Sequence, residues 1–276
     1  MNSPIGVFDS GLGGLTVVRQ LMKVLPGEDI LYFGDTGRVP YGTRSPKTIE
    51  KYATEDCRFL MRKQVKMIIA ACGTVSTVAP HVLTGCSVPS IGVVKPAADA
   101  AVRATRNRRI GVIGTAATIR SGLFHRRISE SMPDAAVFTQ ACPMFVPLVE
   151  NGWIDREDAI TRLTVERYVL PLKEQGIDTL ILGCTHFPLL SPVIADVLGE
   201  NVTLIDSGKE AAIACASLLA QNNLLNPAKQ NGKCHFYVSD RADDFTHVAG
   251  MFLGKEVSGD VEVVNIEAVE GAASVI

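Results

Sequence analysis

Two apolar runs that each lead to a cysteine place the strongest constraint on this chain. The run from Met67 to Ala71 is followed by Cys72-Gly73-Thr74, and the run from Thr179 to Leu182 is followed by Gly183-Cys184-Thr185-His186. A short apolar run bounded by glycine and polar residues is typical of a buried strand that feeds a helix. Ligands of open α/β sheets bind at the carboxyl ends of the strands, so both thiols are predicted to face a site.

Strands and helices alternate along the sequence. Apolar runs such as Ile5–Phe8 and Ile30–Phe33 are separated by a helical pattern from Leu15 to Leu25. Further on, single helices are predicted at Val75–Leu83 and Arg120–Met132. This alternation predicts βαβ units, an α/β fold and parallel sheets covered on both faces.

The order of elements restarts near the middle of the chain. The segment Ile110 to Thr115 resembles Ile5 to Ser10, and each segment precedes a cysteine at nearly the same separation. This repeat suggests a duplicated α/β unit in which each copy carries one thiol. The last predicted strands, at His235–Val238 and near Val261–Ile266, follow a complete second unit, so we expect them to return to the first.

Composition excludes several classes of function. The 276-residue chain is 47% apolar and carries a net charge of −2, which gives no electrostatic reason to expect a nucleic-acid or membrane surface. Its seven cysteines include no CxxC pair, which favours reduced thiols in a cytoplasm. No apolar stretch approaches the roughly 18 residues of a membrane span, so a soluble intracellular protein is expected. One basic cluster is interpreted as a solvated helix end: Arg103, Arg106, Arg108 and Arg109.

Three other kinds of site were weighed. Cys184 and His186 could act as nucleophile and base in acyl transfer, but that scheme leaves Cys72 without a role. A zinc site lacks a local chelating pair of familiar spacing. The Gly11-Leu12-Gly13-Gly14 loop fails the dinucleotide pattern because Thr16 occupies the third glycine position, although its amides could still hold a small anion. Four further cysteines have apolar or small neighbours in the sequence and are interpreted as core residues: Cys57, Cys86, Cys142 and Cys215.

Two opposed thiols suit the inversion of a carbon centre. One thiolate removes the Cα proton while the other thiol delivers a proton to the opposite face. A thiol pKa near 8.5 allows both forms to coexist near neutral pH. Since the Cα–H of an amino acid is a far weaker acid, the site must also stabilise the carbanion electrostatically. Besides backbone amides, side chains that could hold such a substrate are those of Asp9, Ser10, Thr74 and Thr185.

The chain resembles the glutamate racemases, a cofactor-independent family within the aspartate/glutamate racemase superfamily. The resemblance extends from Ile5 to about Ser207, and its first and last long motifs are highly specific. It is carried by Phe8–Val17, Gly34-Asp35-Thr36 with Pro40-Tyr41-Gly42, Ala71-Cys72, Gly111–Thr115 with Thr118, Ala141–Pro143 with Phe145–Glu150, Leu182–Leu190 and Asp206-Ser207.

The resemblance implies a role for individual residues. Cys72 and Cys184 are implied as the two acid/base thiols, the first acting on D-glutamate and the second on L-glutamate. Asp9 and His186 are implied as auxiliaries that tune proton transfer, with Glu150 a weaker candidate. Substrate-binding positions are implied at Asp9, Ser10, Pro40, Tyr41, Gly42, Gly73, Thr74, Thr115, Thr118, Thr185 and His186.

The resemblance also implies two similar α/β domains that face each other across a cleft. The first is expected to comprise residues 1–95 and 207–276, and the second residues 96–206. The implied reaction is racemisation of L-glutamate to D-glutamate for peptidoglycan, in the cytoplasm, by a homodimer without metal, nucleotide or other cofactor. Alternatives are an aspartate or broad-specificity racemase, a weakened or catalytically silent homologue that retains the cleft, and a thiol hydrolase or transferase using Cys184 and His186.

One position departs from the family motif. The family reads Ala-Cys-Asn-Thr where this chain has Gly73. Without the asparagine amide the charged substrate loses a hydrogen bond, and such a loss costs about 1.5–3 kcal/mol. Gly73→Asn restores the amide and is therefore expected to raise kcat/KM. Two alternatives stay open: the glycine is neutral because water or a neighbour compensates, or the pocket is built around glycine and the substitution lowers activity.

Overall fold

The structure is a computed structural model that describes residues 3–228, 230–240, 242–254 and 261–266. Its strands follow the apolar runs of the sequence. They are β1 (Ile5–Asp9), β2 (Ile30–Gly34), β3 (Met67–Ala70), β4 (Ser90–Gly92), β5 (Arg109–Gly114), β6 (Ala136–Ala141), β7 (Thr179–Leu182), β8 (Thr203–Asp206), β9 (Cys234–Val238) and β10 (Val261–Val263).

Helices connect successive strands. The α-helices are α1 (Leu15–Val24), α2 (Pro46–Arg62), α3 (Gly73–Val78), α4 (Pro80–Thr84), α5 (Val94–Ala104), α6 (Ala116–Arg120), α7 (Leu123–Ser131), α8 (Phe145–Glu150), α9 (Ala159–Glu174), α10 (Ser191–Leu198), α11 (Ser207–Gln221) and α12 (Ala242–Leu253). Short 3₁₀ helices lie at Tyr41–Thr43 and Phe187–Leu190. No helix in the described part of the chain is long and apolar enough to cross a membrane.

The strands form two parallel sheets, which confirms the α/β fold. One sheet has the order β10-β9-β2-β1-β3-β4 and the other β6-β5-β7-β8. Every residue of β1, β2, β3 and β7 is buried. Strands buried on both faces of a parallel sheet have continuous apolar runs, and this explains why the sequence pattern located them.

The end of the chain returns to the first sheet, as predicted. Strand β9 pairs in parallel with β2, with Phe236 opposite Tyr32, and β10 pairs with β9. The domain limits 95/96 and 206/207 remain a prediction, and residues 267–276 of the first domain lie outside the described residues.

Two predicted helices differ from the structure: the helix at Arg120–Met132 begins only at Leu123, after the unpredicted short helix α6, and the helix at Val75–Leu83 is interrupted. Between α6 and α7 the backbone of Gly122 has φ +65°, a left-handed conformation that ends one helix and starts the next. Between α3 and α4 the break falls at Ala79, and Pro80 begins the second helix because proline cannot donate within a helix interior. The first break puts the short helix α6 directly after β5, at the carboxyl end of its sheet.

One apolar core joins the two sheets. It contains Ile5 and Tyr32 from the first sheet and Leu180 and Leu182 from the second, together with Phe187 beyond β7. Beside this core the carboxyl ends of strands from the two sheets meet: Thr74 Oγ1, after β3, lies 3.0 Å from Thr115 Oγ1, after β5.

Candidate active site

Cys72 lies where β3 passes into α3. The apolar strand ends at Ala70, and Cys72 is the residue before the first turn of the helix. Its side chain is buried, and Sγ lies 3.5 Å from Ser10 Oγ. Burial raises the pKa of Cys72 to about 12, and the negative charge of Asp9 adds to this. The thiol form is therefore the stable form of Cys72 when no substrate is bound.

Cys184 occupies the corresponding place after β7. Gly183 extends the strand by donating from its amide to Ile113 O at 2.8 Å, and Cys184 follows it. Cys184 is buried, with Sγ 3.9 Å from His186 Nδ1. The backbones of the two cysteines also lie close together, because a Cβ built on Gly73, the residue after Cys72, would lie 3.7 Å from Cys184 Cα.

His186 connects Cys184 to a carboxylate. Its Nε2 lies 3.1 Å from Glu150 Oε1 at the end of α8, and its ring is buried. Burial by itself lowers the pKa of His186, but hydrogen bonds to Cys184 and Glu150 outweigh it and raise the pKa to about 10. At neutral pH a buried imidazolium therefore lies between Cys184 Sγ and Glu150 Oε1.

Asp9 ends β1 and is buried. Burial raises its pKa, whereas the charge of His186 and the amides of Gly14, Gly11 and Ser10 act in the opposite direction. Oδ2 accepts from Gly11 N at 3.2 Å, but Oδ1 is buried with no hydrogen-bond partner in the described part of the chain. A buried carboxylate oxygen without a partner can accept a proton, or a hydrogen bond from the ammonium group of a ligand.

Threonine hydroxyls link the two sheets beside the cysteines. Thr74, on α3, lies 3.0 Å from Thr115 Oγ1 after β5, and Thr115 in turn donates to Thr118 Oγ1 at 3.0 Å. A Cβ placed on Gly42 would lie 3.2 Å from Thr115 Cβ, so the turn after Pro40 also reaches this group. Thr185 Oγ1 lies 3.4 Å from His186 Nδ1.

The side chain of Tyr41 points elsewhere. It is buried, and its hydroxyl donates to Asp35 Oδ2 and lies 3.2 Å from Asp56 Oδ2. Any contact that Tyr41 makes in the cleft is therefore left to its backbone. The Pro-Tyr-Gly sequence is typical of an exposed loop, so it does not indicate that the tyrosine side chain is buried.

Sequence reasoning missed Thr16 as a residue of the site. Its Oγ1 donates to Gly13 O and to Thr185 O, both at 2.9 Å, and so ties α1 to the loop that carries Cys184. The only signal was its place in the glycine loop, where it disqualified the dinucleotide pattern. A Cβ on Gly13 would lie 2.5 Å from His186 Nδ1, so this loop packs directly against the histidine.

Paired buried thiols at the strand ends of two parallel sheets define a site for acid–base chemistry. The chain belongs to the Asp/Glu/Hydantoin racemase family, whose sequence profile matches residues 5–215. It is 47% identical over 265 residues to glutamate racemase from Geobacter metallireducens, an alignment that covers 96% of this chain and 97% of that protein.

A second relative and a solved structure are also glutamate racemases. Glutamate racemase from Neisseria meningitidis serogroup A is 48% identical, with 95% of this chain and 97% of that protein covered. The crystal structure of glutamate racemase from Francisella tularensis in complex with D-glutamate matches with a TM-score of 0.89 and 39% identity, covering 97% of this chain and 99% of that one.

Proposed function

We propose that this protein is an isomerase that interconverts L- and D-glutamate without a cofactor, with Cys72 and Cys184 as its two acid/base groups. The observation that carries the proposal is that two buried cysteines, one from each sheet, follow strand ends whose backbones meet, since a Cβ on Gly73 would lie 3.7 Å from Cys184 Cα. Relatives matched over nearly their whole length are glutamate racemases, and no observation favours aspartate as the substrate.

The proposed reaction removes a proton from one face of Cα and adds a different proton to the opposite face. In one direction the Cys184 thiolate removes the Cα proton of L-glutamate, the electron pair moves into the α-carboxylate, and the Cys72 thiol delivers its proton to the opposite face. The enzyme then holds a Cys72 thiolate and a Cys184 thiol, which is the form that acts on D-glutamate. The imidazolium of His186 supplies a counter-charge beside Cys184, and Glu150 holds the ring in place.

The carbanion requires electrostatic stabilisation, since a thiolate is a much weaker base than the ion it creates. The hydroxyls of Thr74, Thr115 and Thr118 and the amides at the start of α1 and α3 are proposed to bind the carboxylates. Asp9 Oδ1, buried and without a partner among the described residues, is proposed to accept from the substrate ammonium or to relay a proton near Cys72. The proposed binding set is Asp9, Ser10, Pro40, Tyr41, Gly42, Gly73, Thr74, Thr115, Thr118, Thr185 and His186.

The same proposal includes a cellular role. D-glutamate is a peptidoglycan precursor, so we infer a cytoplasmic homodimer that supports cell-wall synthesis and cell shape. The two-domain division at residues 95/96 and 206/207 is part of this proposal, because it assigns one thiol to each domain.

Isotope exchange tests the reaction. In D₂O the wild-type protein is expected to deuterate Cα of both L- and D-glutamate, seen by NMR, and to invert them, seen by optical rotation. Cys72→Ser and Cys184→Ser should each abolish inversion, because each removes one of the two proton carriers. Cys86→Ser, a half-buried cysteine outside the site, serves as the matched control and should keep the wild-type rate.

Two outcomes would contradict the proposal. Absence of exchange with any amino acid would exclude racemisation. Activity that survives Cys72→Ser but not Cys184→Ser would instead indicate a thiol hydrolase or transferase with a single nucleophile.

A further inference from the structure

The residue that follows Cys72 is in direct contact with the residue that precedes Cys184. A Cβ built on Gly73 would fall against the carbonyl oxygen of Gly183, closer than van der Waals radii permit. It would also lie 3.3 Å from Gly183 C and 3.7 Å from Cys184 Cα. All three neighbours are backbone atoms, so no change of side-chain rotamer can make room.

Both backbones at this contact are fixed within their own sheets. Gly183 donates to Ile113 O at 2.8 Å, which continues the pairing of β7 with β5. On the other side, Gly73 O accepts from Thr77 Oγ1 at 2.8 Å within α3, and Cys72 O accepts from Ser76 N at 2.9 Å. Neither backbone can retreat alone without breaking these bonds. A side chain at position 73 would therefore push α3 and β7 apart.

Another glycine contact between the two sheets differs in kind. A Cβ on Gly42 would meet the side chain of Thr115 at 3.2 Å, and a side chain can rotate or shift slightly. Gly73 meets backbone, and the two residues in contact are each bonded to a catalytic cysteine in the proposed mechanism. The spacing of the two thiols therefore depends on this contact more directly than on the others.

We propose that Gly73 is a positioning residue that sets the separation of Cys72 and Cys184 by allowing the backbones of α3 and β7 to touch. This inference rests on the proposed racemisation, because only a two-thiol reaction requires both sulfurs to reach one Cα from opposite faces. A wider gap leaves the first proton removal possible while it weakens delivery from the other side. The intermediate then regains a proton on its original face, and in D₂O this is a deuteron whenever the thiol that removed the Cα proton has first exchanged with solvent.

This inference reverses the expectation for Gly73→Asn. The asparagine amide would supply a hydrogen bond, but its Cβ meets the same backbone obstruction as that of alanine. We therefore expect Gly73→Ala and Gly73→Asn both to lower kcat/KM, by roughly ten- to a hundredfold, because small misplacements of reacting groups have effects of this size.

The test measures exchange and inversion together. Two rates are measured in D₂O: the rate of Cα deuteration with retained configuration and the rate of inversion. The ratio of the first rate to the second should be higher in Gly73→Ala and Gly73→Asn than in the wild type. A purely structural defect would lower both processes equally and leave the ratio unchanged. Because the Cβ of Gly73→Ala meets backbone, this variant should also be less stable than the wild type, so the ratio is measured under conditions in which circular dichroism shows the variant to be folded.

Gly85→Ala is the matched control. Its Cβ would lie 3.5 Å from Val82 O, an ordinary contact, and Gly85 lies outside the site. Rate and ratio should stay at wild-type values in this variant.

The outcomes separate this inference from the proposed function. A wild type that racemises glutamate, together with a Gly73→Ala variant that keeps its kcat/KM and its ratio, would overturn the role of Gly73 and leave the function intact. A wild type without racemisation would overturn the function itself. Thiol crosslinking is a second measurement if the variants do not fold: a short-spacer bis-methanethiosulfonate should bridge Cys72 to Cys184 in the wild type, and bridging by a long spacer alone would contradict the close approach.

Discussion

His186 shows how its neighbours decide the charge of a single residue. Burial disfavours a charged imidazole, yet Cys184 at 3.9 Å and Glu150 at 3.1 Å stabilise the cation and raise the pKa of His186 to about 10. Cys72, in contrast, stays neutral. Burial raises the pKa of its thiol to about 12, so this side chain keeps its proton. The two sides of the site thus differ in charge before substrate enters.

The charge of His186 predicts a pH-dependent contribution to stability. A raised folded-state pKa stabilises the folded protein fully below the unfolded value of 6.5, and this stability is lost as pH rises through about 10. The difference in free energy of unfolding between wild type and His186→Asn should therefore shrink from pH 6.5 to 10, by up to about 5 kcal/mol. Urea unfolding of both proteins across this range measures it, and a constant difference would show that His186 is neutral in the folded state.

Helix α2 anchors the turn of the candidate site through a buried charge cluster. Asp35, Glu55 and Asp56 surround Arg38, whose Nε lies 2.6 Å from Asp35 and whose Nη2 lies 3.1 Å from Asp56. Burial, and then the charge of Asp35, raises the pKa of Asp56 well above its ordinary value, whereas the guanidinium of Arg38 and the hydroxyl of Tyr41 act in the opposite direction. The hydroxyl of Tyr41 bonds to the same group and fixes the turn that leads to Gly42.

Removal of the arginine is expected to cost more stability than replacement of the Asp56 carboxyl by an amide. Arg38→Met leaves buried carboxylates without a cation and should lower the free energy of unfolding by about 3–5 kcal/mol. Because burial favours the neutral form of the Asp56 carboxyl, Asp56→Asn, which introduces a neutral amide of the same shape, should cost less than about 1.5 kcal/mol. Urea denaturation of the two variants compares them directly, and equal losses would mean that Asp56 is ionised. Arg38→Met should also raise KM, since the turn after Pro40 loses its anchor.

At the scale of the whole molecule, the site exists because two parallel sheets present their carboxyl ends to each other. Direct bonds between the sheets run through few side chains, among them Thr16 with Thr185 and Thr74 with Thr115. The shared apolar core beneath them includes Ile5 and Leu182. Relative placement of the two thiols therefore depends on how the sheets pack, in addition to where each strand ends.

Thr16→Val tests one of these links. The substitution keeps the shape of the side chain and removes the donor to Thr185 O, which should cost about 1–3 kcal/mol of stability and lower kcat/KM, because Thr185 lies between Cys184 and His186. Thr54→Val is the matched control, since its hydroxyl donates to Glu50 O within α2 at 2.8 Å, away from the site. Unchanged kcat/KM in Thr16→Val would show that this link does not help to position the Cys184 loop.

Sequence patterns alone locate the strands, the α/β class and the residues at strand ends. Continuous apolar runs locate parallel strands because both faces of such strands are buried, and the glycines and polar residues after them mark the edge where ligands bind. Cys72, Cys184, His186 and Asp9 could be named for this reason, with the resemblance to a racemase family assigning their roles.

Which backbones touch and which charges are buried together depends on how the completed elements pack. The contact of Gly73 with Gly183, the bond from Thr16 to Thr185 and the cluster around Arg38 join residues far apart in the chain. Such contacts leave no periodic pattern in the sequence, since they arise from the packing of completed elements rather than from local preference. The sequence therefore placed a thiol on each half of the molecule, and the packing of the two sheets brought the two thiols to one site.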